Sequence, residues 1–398
     1  MGVVCIHICI HFFVAFSSVT PQMSSSTEDS EYEPSLRSLN TSDNSASSSD
    51  NDYFSTSEEE EEGGEGRAWR SLQLSEERMN APPPRFPFTG NPGIKIDENP
   101  AELSPFEFFS LFIDERIIDS VLVETNRFAE QTGQDDSLWR PVTEAELFVF
   151  SAMKMLGGIV NMPEEEMSCS HDELLQRPIF RQLMTMKRYS KIKQYLHFVD
   201  NETHDAQTHP NPKLYKIYDV FMTLCENFGK CYTPRQDVCI DESLMLFKGR
   251  LGWAQYIPLK RRRFGVKYFM LCESKTGYVY NMTIYVGKGT QFDPEYDAYP
   301  VSSCVVLSLM KPLLGKGYCV TVDNYYTSPQ LADALVMNQT DTYGTLRMNQ
   351  KQVPEELKKK KTEERRSCSI SERQGNDSSL ERQKGCCNAI NHSQPSHA

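Results

Sequence analysis

None of the twelve cysteines forms a C-x2-C pair, and the chain contains neither a Gly-rich phosphate loop of the Walker type nor a G-x-S-x-G elbow. The first absence removes the spacing a zinc knuckle needs, and the others leave no local sign of a P-loop or of a hydrolase serine. Cys386, Cys387, His392 and His397 cluster near the end, but adjacent cysteines fit a regular tetrahedral site poorly. The cysteines are too dispersed for the disulfide framework of a small secreted domain, which favours a reduced intracellular compartment. Beyond Thr20 no stretch is apolar enough to span a bilayer. Met1 to Thr20 holds the apolar run Val3 to Phe16, the size of a signal-peptide core, yet no Lys or Arg precedes it and two histidines interrupt it. Secretion is therefore the alternative to an intracellular location.

Positive charge is also scarce, with 55 acidic against 42 basic side chains in 398 residues. The imbalance is local: residues 1–103 carry 18 Asp and Glu against 6 Lys and Arg, and the remainder is nearly neutral. Ser24 to Ser57 is Ser-rich, Glu58 to Glu62 is an unbroken acidic run, and Pro82 to Pro84 follow. So few aliphatic side chains cannot offset the entropy of ordering the chain, and residues 1–100 are predicted to be a disordered acidic tail. After Pro354 the basic run Lys358 to Lys361 opens a polar, Ser- and Arg-rich sequence, so residues 356–398 are predicted to be disordered as well.

Between these tails the apolar pattern is strong. Ser104-Pro105 supplies an N-cap and first helical position before Phe108, Leu111, Phe112, Ile118, Val121 and Leu122. Thr143 and Glu146 form a capping box for a second helix running to Gly157-Gly158. A third helical pattern spans Ile179 to Phe198, with Lys187, Arg188, Lys191 and Lys193 mostly on one side. Residues 101–230 thus read as a helical region. The period then changes to two at Val238, Ile240, Leu244 and Leu246. Lys267 to Glu273 and Tyr278 to Val286 read as a hairpin, Val305 to Leu313 as a helix, and Tyr318 to Val322 as a strand ending on Asp323. A helix from Ser328-Pro329 and a strand over Tyr343 to Leu346 complete a β-β-β-α-β-α-β order within residues 231–355, an α/β fold with a mixed sheet.

Asp241 lies inside the first strand, and Asp323 ends a neighbouring one. Two carboxylates beside apolar strands are costly to desolvate without a partner, which is either an Arg or a divalent ion. Magnesium suits such hard oxygen donors, and paired ions activate attacking and leaving oxygens in phosphodiester cleavage. Between them, Lys248, Arg250, Lys260, Arg261, Arg262, Arg263 and Lys267 alternate with Phe247, Trp253, Tyr256 and Phe264. That composition suits a surface that follows a phosphate backbone and stacks on bases, or else a solvated charged face over inward aromatics.

Three local sequences carry a resemblance: YSKIKQYLHFVDN from Tyr189, VCIDESLMLFKGR from Val238 and VTVDNYYTS from Val320. Together with AQYIPLKRRRFGVK, KTGYVYNMTIYVG and GTLRMNQKQVP, they make Ser104 to Pro354 resemble the piggyBac-type transposases and the host proteins derived from them. The resemblance implies an RNase H-like catalytic domain behind a helical dimerisation and DNA-binding region. It also implies a magnesium-binding carboxylate triad acting at transposon ends and TTAA targets, a nuclear location, DNA as partner and a homodimer. By motif, Asp241 and Asp323 match the first two catalytic aspartates and metal ligands. The third has no counterpart, because neither Asp377 nor Glu381 sits in a matching motif, and the family's C-terminal zinc module is not recognisable. The implied RNase H-like core is therefore truncated, its C-terminal tail and first 22 residues look foreign to the family, and a DNA-binding, catalytically inactive chain is expected in preference to an active strand transferase.

Overall fold

The computed structural model describes residues 85–347 apart from 98, 134–135, 161, 204, 206, 248, 250 and 259–262, together with 69–72, 353 and 369–372. Trp69–Leu72 (β1) pairs antiparallel with Ser369–Glu372, inside the two segments expected to lack structure. Gly93–Ile94 (β2) follows. Residues 85–97 were included in the expected disordered tail, yet they lie along the sheet: the Phe86 N–H donates to Asp341 and the Phe88 ring meets Tyr318 edge-on at 4.9 Å. Two aromatic side chains directly after the proline run provide the buried surface that the acidic segment lacks.

The helical region begins with Pro105–Ser110 (α1), closed by the Ser104–Glu107 capping box. The single helix expected here breaks, because Asp114 caps a new one, Glu115–Thr132 (α2), by accepting from the Ile117 N–H. Glu144–Ile159 (α3) starts at the Thr143–Glu146 box as its sequence requires. The helix expected over Ile179 to Phe198 is also two, Pro178–Leu183 (α4) and Met186–Tyr195 (α5), divided where Thr185 caps the second. Tyr218–Cys231 (α6) then leads into Tyr232–Thr233 (β3), which pairs with β2.

The sheet has six strands in the order β5-β6-β4-β8-β9, with β7 also on β6. These are Asp237–Leu246 (β4), Gln255–Tyr256 (β5), Phe264–Glu273 (β6), Val279–Tyr285 (β7), Cys319–Val322 (β8) and Asp341–Gly344 (β9). β4 is antiparallel to β6 and parallel to β8, and β8 is parallel to β9, so the sheet is mixed. Val301–Met310 (α7) and Pro329–Met337 (α8) supply the connections into β8 and β9, giving the expected β-β-β-α-β-α-β order of an RNase H-like core apart from the short β5. Ser369–Glu372 is β10.

Each sheet face has its own apolar cluster. Val238, Ile240, Phe269, Leu271, Val320 and Val322 pack with α7 and α8. Met245, Val266, Tyr268, Met282 and Ile284 pack with α2, α3, α5 and α6. Among the described residues no helix is long and apolar enough to cross a membrane.

Candidate active site

Strand register brings the two candidate aspartates together. Ile240 on β4 stands opposite Val322 on β8 in the parallel ladder, so the next residue of each chain segment, Asp241 and Asp323, continues the pair. Val238, Ile240, Val320 and Val322 enter the core with α7 and α8, and alternation turns Asp241 and Asp323 to the other face, where both are exposed. Asp323 closes β8 through its own loop. Its Oδ1 accepts from the Tyr325 N–H at 2.8 Å, and its carbonyl accepts from the Thr327 hydroxyl at 2.8 Å. Gly344 on β9 backs this loop: a Cβ there would lie 2.1 Å from Thr327 Oγ1, so only glycine lets β9 approach.

The electrostatics are those of crowded anions. Partial desolvation raises the Asp241 carboxyl above the ordinary carboxylate range, and the charges of Glu242 and Asp323 add to it. Asp323 is raised chiefly by desolvation, with Glu242 adding to it, while the Tyr325 N–H and the Arg347 charge oppose the shift. Arg347 is held at the rim by Asn324 Oδ1, to which its Nε and Nη2 donate at 3.2 and 3.1 Å. Glu242 leaves β4 on the opposite face, where its Oε2 accepts from the Tyr326 hydroxyl at 3.2 Å, yet its carboxyl also reaches hydrogen-bonding range of the Asp241 carboxyl. Sequence reasoning passed over Glu242 and Arg347; the signal for Glu242 was its adjacency to Asp241 in a strand.

The donor set suits a hard cation. Two carboxylates whose negative charges oppose each other's ionisation need a counter-charge, and magnesium accepts one or two protein carboxylates with water and phosphate oxygens completing its shell. Among the described residues no group of three or more His, Cys, Asp and Glu side chains is arranged to hold a metal. The fit is thus to a single ion on two protein ligands.

The expected basic surface divides. Lys248, Arg250, Lys260, Arg261 and Arg262 lie outside the described residues. Arg263 is exposed beside Tyr256 and Phe264, whose rings are 4.5 Å apart and whose exposures of 47% and 53% leave them open to stacking. Phe247 and Trp253 instead pack into the helical cluster. Lys267 does not belong to a surface patch. It is 3% exposed, on the same sheet face as Glu242, with its ammonium 4.8 Å from the Phe269 ring centre and 5.5 Å from that of Tyr285. The basic side of α5 is similarly engaged: Arg188 pairs with Glu146, Lys191 with Asp136, and Lys193 with Glu165, leaving Lys187 exposed.

A mixed sheet carrying two carboxylates on adjoining parallel strands, behind a helical region, is the arrangement of a transposase. Residues 104–389 match the family described as Transposase IS4, and the chain belongs to this family of piggyBac-type transposases. It is similar to human PiggyBac transposable element-derived protein 5, with 24% identity over 66% of this chain and 49% of that protein. Human PiggyBac transposable element-derived protein 3 is 26% identical over 70% of this chain and 44% of that protein. Among solved structures, it resembles the piggyBac transposase in a synaptic complex with hairpin DNA, with a TM-score of 0.58 and 25% identity over 69% of this chain and 57% of that one. The chain spans about half or less of the length of these curated relatives.

Proposed function

We propose that this transposase-derived chain binds DNA in the nucleus and does not complete strand cleavage. The observation that carries the reading is the pairing of Asp241 and Asp323 at the ends of adjoining parallel strands, with no group of three or more acids, His or Cys placed to hold a metal among the described residues. A magnesium ion on Asp241 and Asp323 would supply Lewis-acid stabilisation of phosphate oxygens. The residues themselves orient that site, Asp323 through its Tyr325 N–H and Thr327 contacts and Asp241 through its place in β4. In-line displacement also needs stabilisation of a second oxygen, and among the described residues no third carboxylate is grouped with the pair to anchor it.

DNA affinity is assigned to the segment from Lys248 to Arg263, with Tyr256 and Phe264 as stacking platforms. The reading includes homodimerisation through residues 101–230, supported by the exposed Ile159, Leu174 and Ile179. An intact Asp241 and Asp323 pair favours the second reading, an active magnesium-dependent strand transferase.

The test of binding is fluorescence anisotropy of a labelled duplex over a salt series. The logarithm of affinity should fall linearly with the logarithm of salt concentration, by roughly 0.9 per neutralised phosphate. Replacing Arg261, Arg262 and Arg263 with Gln should lower both affinity and slope. Unchanged binding would assign that cluster to a solvated face.

A further inference from the structure

The face that carries Asp241 also carries two thiols. Cys239 on β4 stands directly opposite Cys272 on β6 in the antiparallel ladder. Their strand neighbours Ile240 and Leu271 point into the core with α7 and α8, so alternation turns both cysteines the other way, towards each other's side of the sheet. Both are half-buried and carry free thiols. Directly opposed residues of an antiparallel pair have Cα atoms about 4.5 or 5.5 Å apart, and a disulfide spans Cα separations of about 4.4–6.8 Å. Closure therefore requires side-chain rotation and no movement of either strand.

We propose that Cys239 and Cys272 form a reversible cross-strand disulfide site, closed by a low-molecular-weight disulfide such as oxidised glutathione. The Cys239 thiol loses its proton and its sulfur attacks one sulfur of oxidised glutathione, forming a mixed disulfide and expelling one glutathione thiolate. The Cys272 sulfur, after losing its own proton, attacks the Cys239 sulfur, and the second glutathione leaves as thiolate. Two protons and two electrons pass from the cysteine pair to glutathione, and nothing else is consumed.

The position gives the bridge a consequence. Residues 240–271, which it encloses, include every basic residue from Lys248 to Arg263 assigned above to DNA, and it ties β4 to β6 two positions before Asp241. Closure therefore cross-links the two strands that bracket the basic segment without touching the carboxylates.

Trypsin provides a direct assay, because Cys239 falls in the peptide 236–248 and Cys272 in the peptide 268–275. The full chain is incubated with excess oxidised glutathione, then digested and weighed without reduction. The expected result is a linked 236–248/268–275 pair that disappears on reduction with dithiothreitol. The Cys272→Ser chain, its fold checked by circular dichroism, should instead retain glutathione on Cys239. Persistent mixed disulfides at both positions without a linked peptide, no modification of either, or pairing of either with another cysteine would overturn the proposal. The linked peptide from the unsubstituted chain decides the matter even where the variant does not fold.

Discussion

The Tyr326 hydroxyl donates to Glu242 across 3.2 Å, tying the acid next to Asp241 to a ring buried with α7 and α8. Tyr326 is fully buried, so its hydroxyl has exchanged water for a carboxylate. Tyr326→Phe should therefore cost about 1.5–3 kcal/mol in urea unfolding, the usual range for a hydrogen bond to a charged group. It should leave the environment of Asp241 and Asp323 intact. A neutral substitution would mean that Glu242 is solvated instead.

A second expectation concerns the raised carboxyls of Asp241 and Asp323. An acid whose folded pKa exceeds its unfolded value destabilises the fold above that folded pKa and is relieved as pH falls through it. At neutral pH, Asp241→Asn should thus be neutral or slightly stabilising. Magnesium should stabilise the unsubstituted chain by about 1.4 kcal/mol when its concentration is about tenfold above Kd, raising its thermal midpoint, and leave Asp241→Asn unmoved. An equal magnesium shift in both chains would place the ion elsewhere.

Lys154 gives a prediction away from the sheet. Its side chain is 8% exposed, its ammonium donates to Glu165 Oε1 at 2.7 Å, and the Phe150 and Tyr189 rings enclose it. Removing the partner leaves a buried cation unmatched, so Glu165→Gln should cost about 1–3 kcal/mol, less than a fully buried pair because Glu165 is half-exposed. Lys154→Met added to Glu165→Gln should recover most of the loss. Chemical denaturation of the single and double variants measures both.

His197 sets an acid limit. Its ring stacks on Phe128 with centres 4.0 Å apart, its Nε2 has no partner among the described residues, and burial lowers its pKa below the usual histidine value. The unfolded chain consequently binds the proton first, and stability falls as pH drops below about 6.5, where the unfolded histidine titrates. His197→Phe should flatten this dependence between about pH 7 and 5. An unchanged profile would assign the acid loss to other groups.

Much of this was legible in the sequence because local signals and tertiary structure agree. Ser104-Pro105, Thr143 with Glu146, and Ser328-Pro329 all start helices through side-chain caps. Period-two alternation also identified the strand bearing Asp241, and a short apolar run the strand that ends before Asp323. What remained hidden depends on pairing. The last strand is Asp341–Gly344 because parallel register with Cys319–Val322 selects it, although the apolar pattern pointed to Tyr343 to Leu346. Lys267 looked like one more surface cation, yet β6 is covered on both faces and aromatic rings enclose its ammonium. Arg188, Lys191 and Lys193 looked like a basic face until partners distant in sequence reached them. Composition shows charge but not its neutralisation by residues from other elements.

Incubating the purified chain with magnesium and a labelled duplex carrying transposon ends from the same genome tests the central claim most directly, with Asp241→Ala in parallel. The account predicts a retained, salt-sensitive protein–DNA complex and no strand cleavage from either chain, since among the described residues no third acid is grouped with Asp241 and Asp323 to hold a metal. Cleavage by the unsubstituted chain that disappears in Asp241→Ala would contradict it, and would show that another acid or a partner chain completes the site.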